Sequence, residues 1–191
     1  MLNLSKIEIA EKANKLNFPR DTMEKVLRLA DILGYLNTNP LTKDVLALKG
    51  GTAINLTVFS LPRLSVDIDL DYSMIQTREE MLESRMQITE AIATYMATQG
   101  YVQSLRSRLR YSLDSFVFEY QNHGGMKDNI KIEINYSLRA HILPLERREI
   151  TESVIPQYAA ILCVAPMEVF AGKMNALMSR AAARDLYDTY N

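Results

Sequence analysis

Residues 66–72 read Val-Asp-Ile-Asp-Leu-Asp-Tyr, an unbroken alternation of apolar and acidic side chains. A period of two belongs to a β-strand, whose successive side chains point to opposite faces. No other segment constrains the fold as tightly: Ile68 and Leu70 must turn to a core, while Asp67 and Asp69 share the opposite face. Carboxylates two residues apart on a strand lie about 7 Å from each other. Unneutralised, they repel and one takes up a proton; a divalent cation removes that penalty. A lone Asp-x-Asp also suits solvated acids on the open face of an edge strand.

The preceding segment adds a second constraint. The apolar run Val45–Leu48 stops at Lys49-Gly50-Gly51-Thr52, and Ala53–Phe59 is compatible with a helix starting directly after the glycines. Glycine backbone lets N–H groups approach a phosphate without a Cβ in the way. A helix beginning there adds a field that favours an anion, and the Thr52 hydroxyl can donate to a phosphate oxygen. Alone, Gly-Gly marks a tight turn. Followed by Asp-x-Asp on the next strand, it makes an arrangement that holds a triphosphate beside its metals. With two His and one Cys in 191 residues, any metal is held mainly by oxygen, which selects magnesium or manganese. A third acid follows at Glu133: Ile130, Ile132 and Ile134 take one face of a strand over 129–136, and Glu133 takes the other. If that strand lies beside Asp67 and Asp69, all three acids face one cation.

The remaining pattern mixes helices and strands. Residues 5–37 read as helical, with Asp21 and Glu24 as a capping box and a stripe at Met23, Val26, Leu27, Ala30, Leu33 and Leu36. Residues 77–99 form a second helical stretch, with Met81, Ile88, Ile92 and Tyr95 inward and Gly100 closing it. Leu113–Tyr120 and Asn129–Tyr136 flank an Asn-His-Gly-Gly turn and predict a β-hairpin. Ile161–Val164 suits a short strand. Pro166 starts a helix whose apolar face is Phe170, Met174, Leu177 and Met178. Arg106, Arg108 and Arg110 alternate, so as a strand they make one basic stripe, fit either to follow an RNA backbone or to solvate a face. His123 and His141 have no partner at ligand spacing.

Apolar residues make up 48% and charged residues 24%, enough for a packed core. The formal net charge of −1 gives no bulk signal for nucleic acid, so a basic site must be local. The lone Cys163 excludes an internal disulfide framework and a cysteine zinc site. No run approaches the roughly 18 apolar residues of a membrane span, and the N-terminus lacks an apolar signal core. The expectation is a cytoplasmic protein without a membrane segment. Three stretches organise the chain: a helical segment over 1–40, a core over 41–165 and the start of a helical portion over 166–191. The last residues, through Arg184-Asp185-Leu186-Tyr187-Asp188, read as a continuing helix without a C-cap. They suit a short form or a chain whose further helices lie beyond residue 191.

Lys49-Gly50-Gly51-Thr52-Ala53, followed by Pro62-Arg63-Leu64-Ser65-Val66-Asp67-Ile68-Asp69-Leu70, resembles the AbiEii/AbiGii-type toxin family of the DNA polymerase β-like nucleotidyltransferase superfamily. Near the C-terminus, Met167-Glu168-Val169-Phe170-Ala171-Gly172-Lys173, Ala176-Leu177 and Arg180 are similar to the family's helical lysine motif. Arg184-Asp185-Leu186-Tyr187-Asp188 is similar to its final motif. The resemblance spans residues 49–188 and implies an α+β fold: a small mixed sheet flanked by helices, then a helical portion. It implies a metal-dependent nucleotidyltransferase toxin of a toxin–antitoxin or phage-defence pair. Its reaction would transfer NMP from an NTP to RNA, the tRNA 3′ end foremost, with release of pyrophosphate and with a cognate antitoxin as partner. Asp67 and Asp69 would hold magnesium or manganese. Lys49, Gly50, Gly51, Thr52, Arg63 and Ser65 would meet the nucleotide. Lys173 would be the counter-charge of the triphosphate, and Asp185 would position the acceptor. The third carboxylate would activate the acceptor hydroxyl; Glu133, Asp114 and Glu119 are candidates, and Glu133 has the cleanest strand. Two other readings stay open: NMP transfer to a protein or small-molecule hydroxyl, and a non-catalytic module that binds a nucleotide or partner.

Overall fold

The computed structural model describes residues 5–59, 65–151 and 160–180, together with residues 186 and 190. The N-terminal helical stretch is two helices, α1 (Lys6–Leu16) and α2 (Arg20–Thr38). Asn17, in the left-handed conformation at φ 55°, ends α1, and Pro19 is the N-cap of α2. Asp21 therefore lies inside the first turn of α2 and caps nothing. Glu24 does not reach back to the cap: it is fully buried and accepts from Arg28 and from the His123 backbone N–H. A buried carboxylate needs such partners, and these override the local capping pattern.

β1 (Leu46–Lys49) leads straight into α3 (Gly50–Thr57), so both glycines belong to the helix's first turn and do not precede it. β2 (Asp67–Tyr72) is the alternating strand. α4 (Arg78–Thr98) begins at Thr77 and Glu80, a reciprocal capping box, and Gly100 follows it at φ 80°. Its buried residues are Met81, Ile88, Ile92 and Met96; Tyr95 is half-buried and stacks on Tyr35. The short strands β3 (Val102–Gln103) and β4 (Arg108–Leu109) precede the hairpin of β5 (Leu113–Gln121) and β6 (Lys127–Asn135). β7 (Glu146–Arg148), β8 (Ile161–Cys163) and α5 (Pro166–Arg180) complete the described elements.

The eight strands form one mixed sheet in the order β3-β5-β6-β2-β1-β8-β7, with β4 also on β5. The β2–β6 and β1–β8 pairs are parallel and the others antiparallel. This is the α+β, mixed-sheet fold that the resemblance implied. Alternation sorts the two faces. Leu48, Ile68, Leu70, Ile130, Ile132, Ile134, Phe116 and Phe118 pack with the stripes of α2 and α4 in the main core. The opposite face carries the acids. There a smaller cluster of Ala47, Ile54, Val164 and Val169, with Phe59 and Phe170 against it, seats α3 and α5 at the β1–β8 end. The acid-bearing face of β2, β6 and β5 beyond it is less covered. The first two turns of α5 make this contact; Met174 and Met178, expected on its apolar face, are exposed. Among the described residues no helix is long and apolar enough to cross a membrane.

Candidate active site

The strand register assembles the acids. Asp69 sits across from Lys49 of β1 on one side and Glu133 of β6 on the other, and Asp67 is opposite Lys131. Partners in a pair project to the same face, so Asp67, Asp69 and Glu133 line one surface. Of the other candidates for the third acid, Asp114 is fully buried on the opposite face and paired with Arg85. Glu119 lies further along the hairpin, opposite Asn129, and pairs with Arg106.

Gly50 has φ 72°, and a Cβ built on it would lie 2.5 Å from Asp69 Oδ2. The position needs glycine twice over, for its left-handed backbone and for the carboxylate pressed against it. The N–H groups of the first helical turn have no intrahelical acceptor, and the helix N-terminus carries partial positive charge. This end of α3 and Asp69 therefore share one small volume. Thr52 is fully buried, and its hydroxyl, expected on a phosphate oxygen, donates to the Asp67 carbonyl (2.5 Å). It fastens α3 to the start of β2. The Lys49 ammonium donates to Asp71 (2.5 Å), which also accepts from Asn135 Nδ2 (3.0 Å).

A cleft of about 640 Å³ opens between this corner and α5. Lys49, Gly50, Asp69 and Asp71 line one wall, and Glu168, Gly172 and Lys173 line the α5 side, with His141 also at the cleft. A second recess of about 320 Å³ lies toward the hairpin and is lined by Lys49, Asp69, Leu113, Glu133 and Asn135. Asp69 and Lys49 belong to both. Ser65 is half-buried just ahead of β2. Arg63 and Asp185 lie outside the described residues.

Burial, then Glu133 beside it and Asp67 on its own strand, hold the Asp69 carboxyl above the usual carboxylate range; Lys49 and Lys131 pull the other way. Lys131 also pairs with Glu133 at 2.8 Å. A cluster of acids in which burial and like charge oppose ionisation is relieved by a hard cation, so the donor set fits magnesium or manganese. Among the described residues no three His, Cys, Asp or Glu side chains are gathered so as to hold an ion by themselves. Other oxygen ligands, from substrate or water, would complete the shell, as magnesium sites commonly require.

Three residues gain a place that sequence reasoning did not assign. Asp71 continues the alternation of β2 and was legible as an acid on the same face, although not as the partner of Lys49. Lys131 stands in the Asp67 row. His141 is held between Ser73 and Glu168, which are 68 and 27 positions away in sequence, so no local spacing announced it. The expected Arg106–Arg110 stripe is not one strand. Only Arg108 of the three lies in a β-element; Arg106 is in a turn and pairs with Glu119, and all three are exposed.

Residues 31–191 match the protein family described as nucleotidyl transferase AbiEii toxin, type IV toxin–antitoxin system. No curated protein matches the chain in sequence. Among solved structures the fold is similar to MenT4, a nucleotidyltransferase toxin from Mycobacterium tuberculosis H37Rv. The TM-score is 0.66 at 21% identity, over 97% of this chain and 63% of that one. It is also similar to JHP933 from Helicobacter pylori, with a TM-score of 0.57 at 18% identity, over 87% of this chain and 62% of that one. The chain thus spans less than two thirds of the length of either neighbour.

Proposed function

The chain belongs to the AbiEii nucleotidyl transferase toxin family of type IV toxin–antitoxin systems, and from that premise we propose that it transfers NMP from an NTP to an RNA acceptor, the tRNA 3′ end foremost, releasing pyrophosphate. The observation that carries this reading is the double position of Asp69. It shares the larger cleft with Gly50 and Lys173 and the smaller recess with Glu133. A group at the junction of two recesses is placed to meet a donor from one side and an acceptor from the other.

In this reading the triphosphate lies in the larger cleft. The first-turn N–H groups of Gly50 and Gly51 receive its oxygens, and Lys173 balances its charge. Lys49 orders the corner through Asp71, and Thr52 holds the strand that carries the acids. The acceptor hydroxyl enters from the Glu133 side. Its oxygen bonds to the α-phosphorus as the bond to the bridging oxygen breaks, pyrophosphate departs on the α3–α5 side, and Glu133 takes the hydroxyl proton. Asp67 and Asp69 would hold magnesium or manganese, which when bound supplies charge neutralisation at the phosphates. The family resemblance adds Arg63 and Ser65 to the phosphate contacts and Asp185 to the acceptor side. The setting is the cytoplasm, with a cognate antitoxin protein as partner.

The test is incubation with each labelled NTP, magnesium and total RNA. Label in tRNA supports the proposal. Label in protein or a small molecule moves the acceptor, and NTP binding without transfer indicates a binding module. Asp69→Ala abolishes transfer; undiminished transfer by that variant refutes the assignment of the acids.

A further inference from the structure

A hydrogen-bonded chain runs from the end of the acid-bearing strand to the helix that carries Lys173. Ser73 directly follows β2, and its Oγ donates to the Asp71 carbonyl at 3.2 Å. His141 Nε2 is 3.0 Å from Ser73 Oγ, and His141 Nδ1 is 3.1 Å from Glu168 Oε1. An ionised carboxylate only accepts, so the Nδ1 hydrogen is donated to Glu168. The other Glu168 oxygen accepts from the Leu143 N–H at 3.2 Å. The imidazole is 8% exposed, and both of its nitrogens have partners, as a buried polar ring requires.

The order Ser-His-acid is that of a nucleophilic triad, but its placement differs. Ser73 does not line the cleft, whereas His141 and Glu168 do. The arrangement is suited to holding elements together. Glu168 stands in the first turn of α5, five positions before Lys173. The helix packs on α3 through its first two turns and exposes Met174 and Met178 beyond them. Its orientation is therefore set near Glu168.

We propose that His141 is a positioning residue for nucleotidyl transfer: it ties α5, and with it Lys173, to the strand that carries Asp67 and Asp69, so that the lysine and the acids meet one nucleotide. This rests on the NTP reading above. A displacement of about 1 Å at a reacting centre can lower a rate about 100-fold, so a tie remote from the phosphates has a measurable effect on them.

The experiment compares the wild-type chain, His141→Ala, His141→Asn, Lys173→Met and the double variant His141→Ala/Lys173→Met. It reads equilibrium binding of ATP, GTP, CTP and UTP with magnesium, and pyrophosphate release with total RNA. We expect His141→Ala to weaken binding of the preferred NTP about tenfold and to lower kcat further, within the range of a misplaced group. His141→Asn, whose amide can donate to Glu168 from near the Nδ1 position, recovers most of the binding and carries the test if the alanine variant does not fold. In the Lys173→Met background the alanine change has no further effect on NTP binding, because the lysine it positions is gone. A loss that is fully additive with Lys173→Met overturns the inference, as does NTP binding by both His141 variants equal to wild type; in either case the transfer reading stands. A wild-type chain that neither binds NTP nor releases pyrophosphate overturns both.

Discussion

Replacing Gly50 by alanine tests the central geometry without touching a charged group. Two penalties add at this position. A non-glycine residue in the left-handed region costs about 1–2 kcal/mol. The new Cβ also stands 2.5 Å from Asp69 Oδ2 and 3.3 Å from the Cβ and Cγ of Asp69. Rotation of the carboxylate alone does not relieve the Cβ contact, so strand and helix must separate slightly, at a further cost of about 1–3 kcal/mol for overpacking. Gly100 is the internal control: its φ is 80°, and an added Cβ there meets nothing within 4 Å. Gly100→Ala thus pays the backbone term alone. Urea unfolding should place Gly50→Ala about 2–5 kcal/mol below wild type and below Gly100→Ala by the overpacking share. Combining Gly50→Ala with Asp69→Ala removes the carboxylate from the clash, and the added cost of Gly50→Ala should shrink toward that of Gly100→Ala. Equal costs at the two glycines, with no rescue by Asp69→Ala, would show that the acid does not lie against the helix start and would undo the active-site reading.

Two other outcomes follow from buried groups. Arg85→Met leaves Asp114, fully buried on the helix-covered face, without its cation; it should destabilise by about 3–5 kcal/mol, and a change under about 1 kcal/mol in urea unfolding would mean that the pair is hydrated. Burial pushes the Cys163 thiol up to about 12, so it stays protonated at pH 8, where an ordinary thiol is partly ionised. A disulfide-exchange reagent at pH 8 should leave it unmodified in the native chain and label it fully in urea, and rapid native labelling would contradict its placement in β8.

The period of two at 66–72 follows from strand geometry and needs no partner to be read, so β2 and the common face of Asp67 and Asp69 were legible, as were the hairpin and the helical stretch that Gly100 closes. Local patterns misled where a distant partner outweighed them. Glu24 looked like a capping residue and is instead drawn into the interior by Arg28 and His123. Thr52 looked like a phosphate donor and is bonded to Asp67. The Arg106–Arg110 alternation is broken by a turn, because β5 is paired there by two separate short strands. Sequence alone determined which residue types were available and which shared a face within each element, because backbone geometry sets those relations over a few residues. Tertiary structure alone decided that Glu133 stands opposite Asp69, that α5 closes the cleft, and that His141 joins Ser73 to Glu168. Those relations join segments far apart in the chain, and they depend on strand register and on how both faces of the sheet bury their apolar side chains.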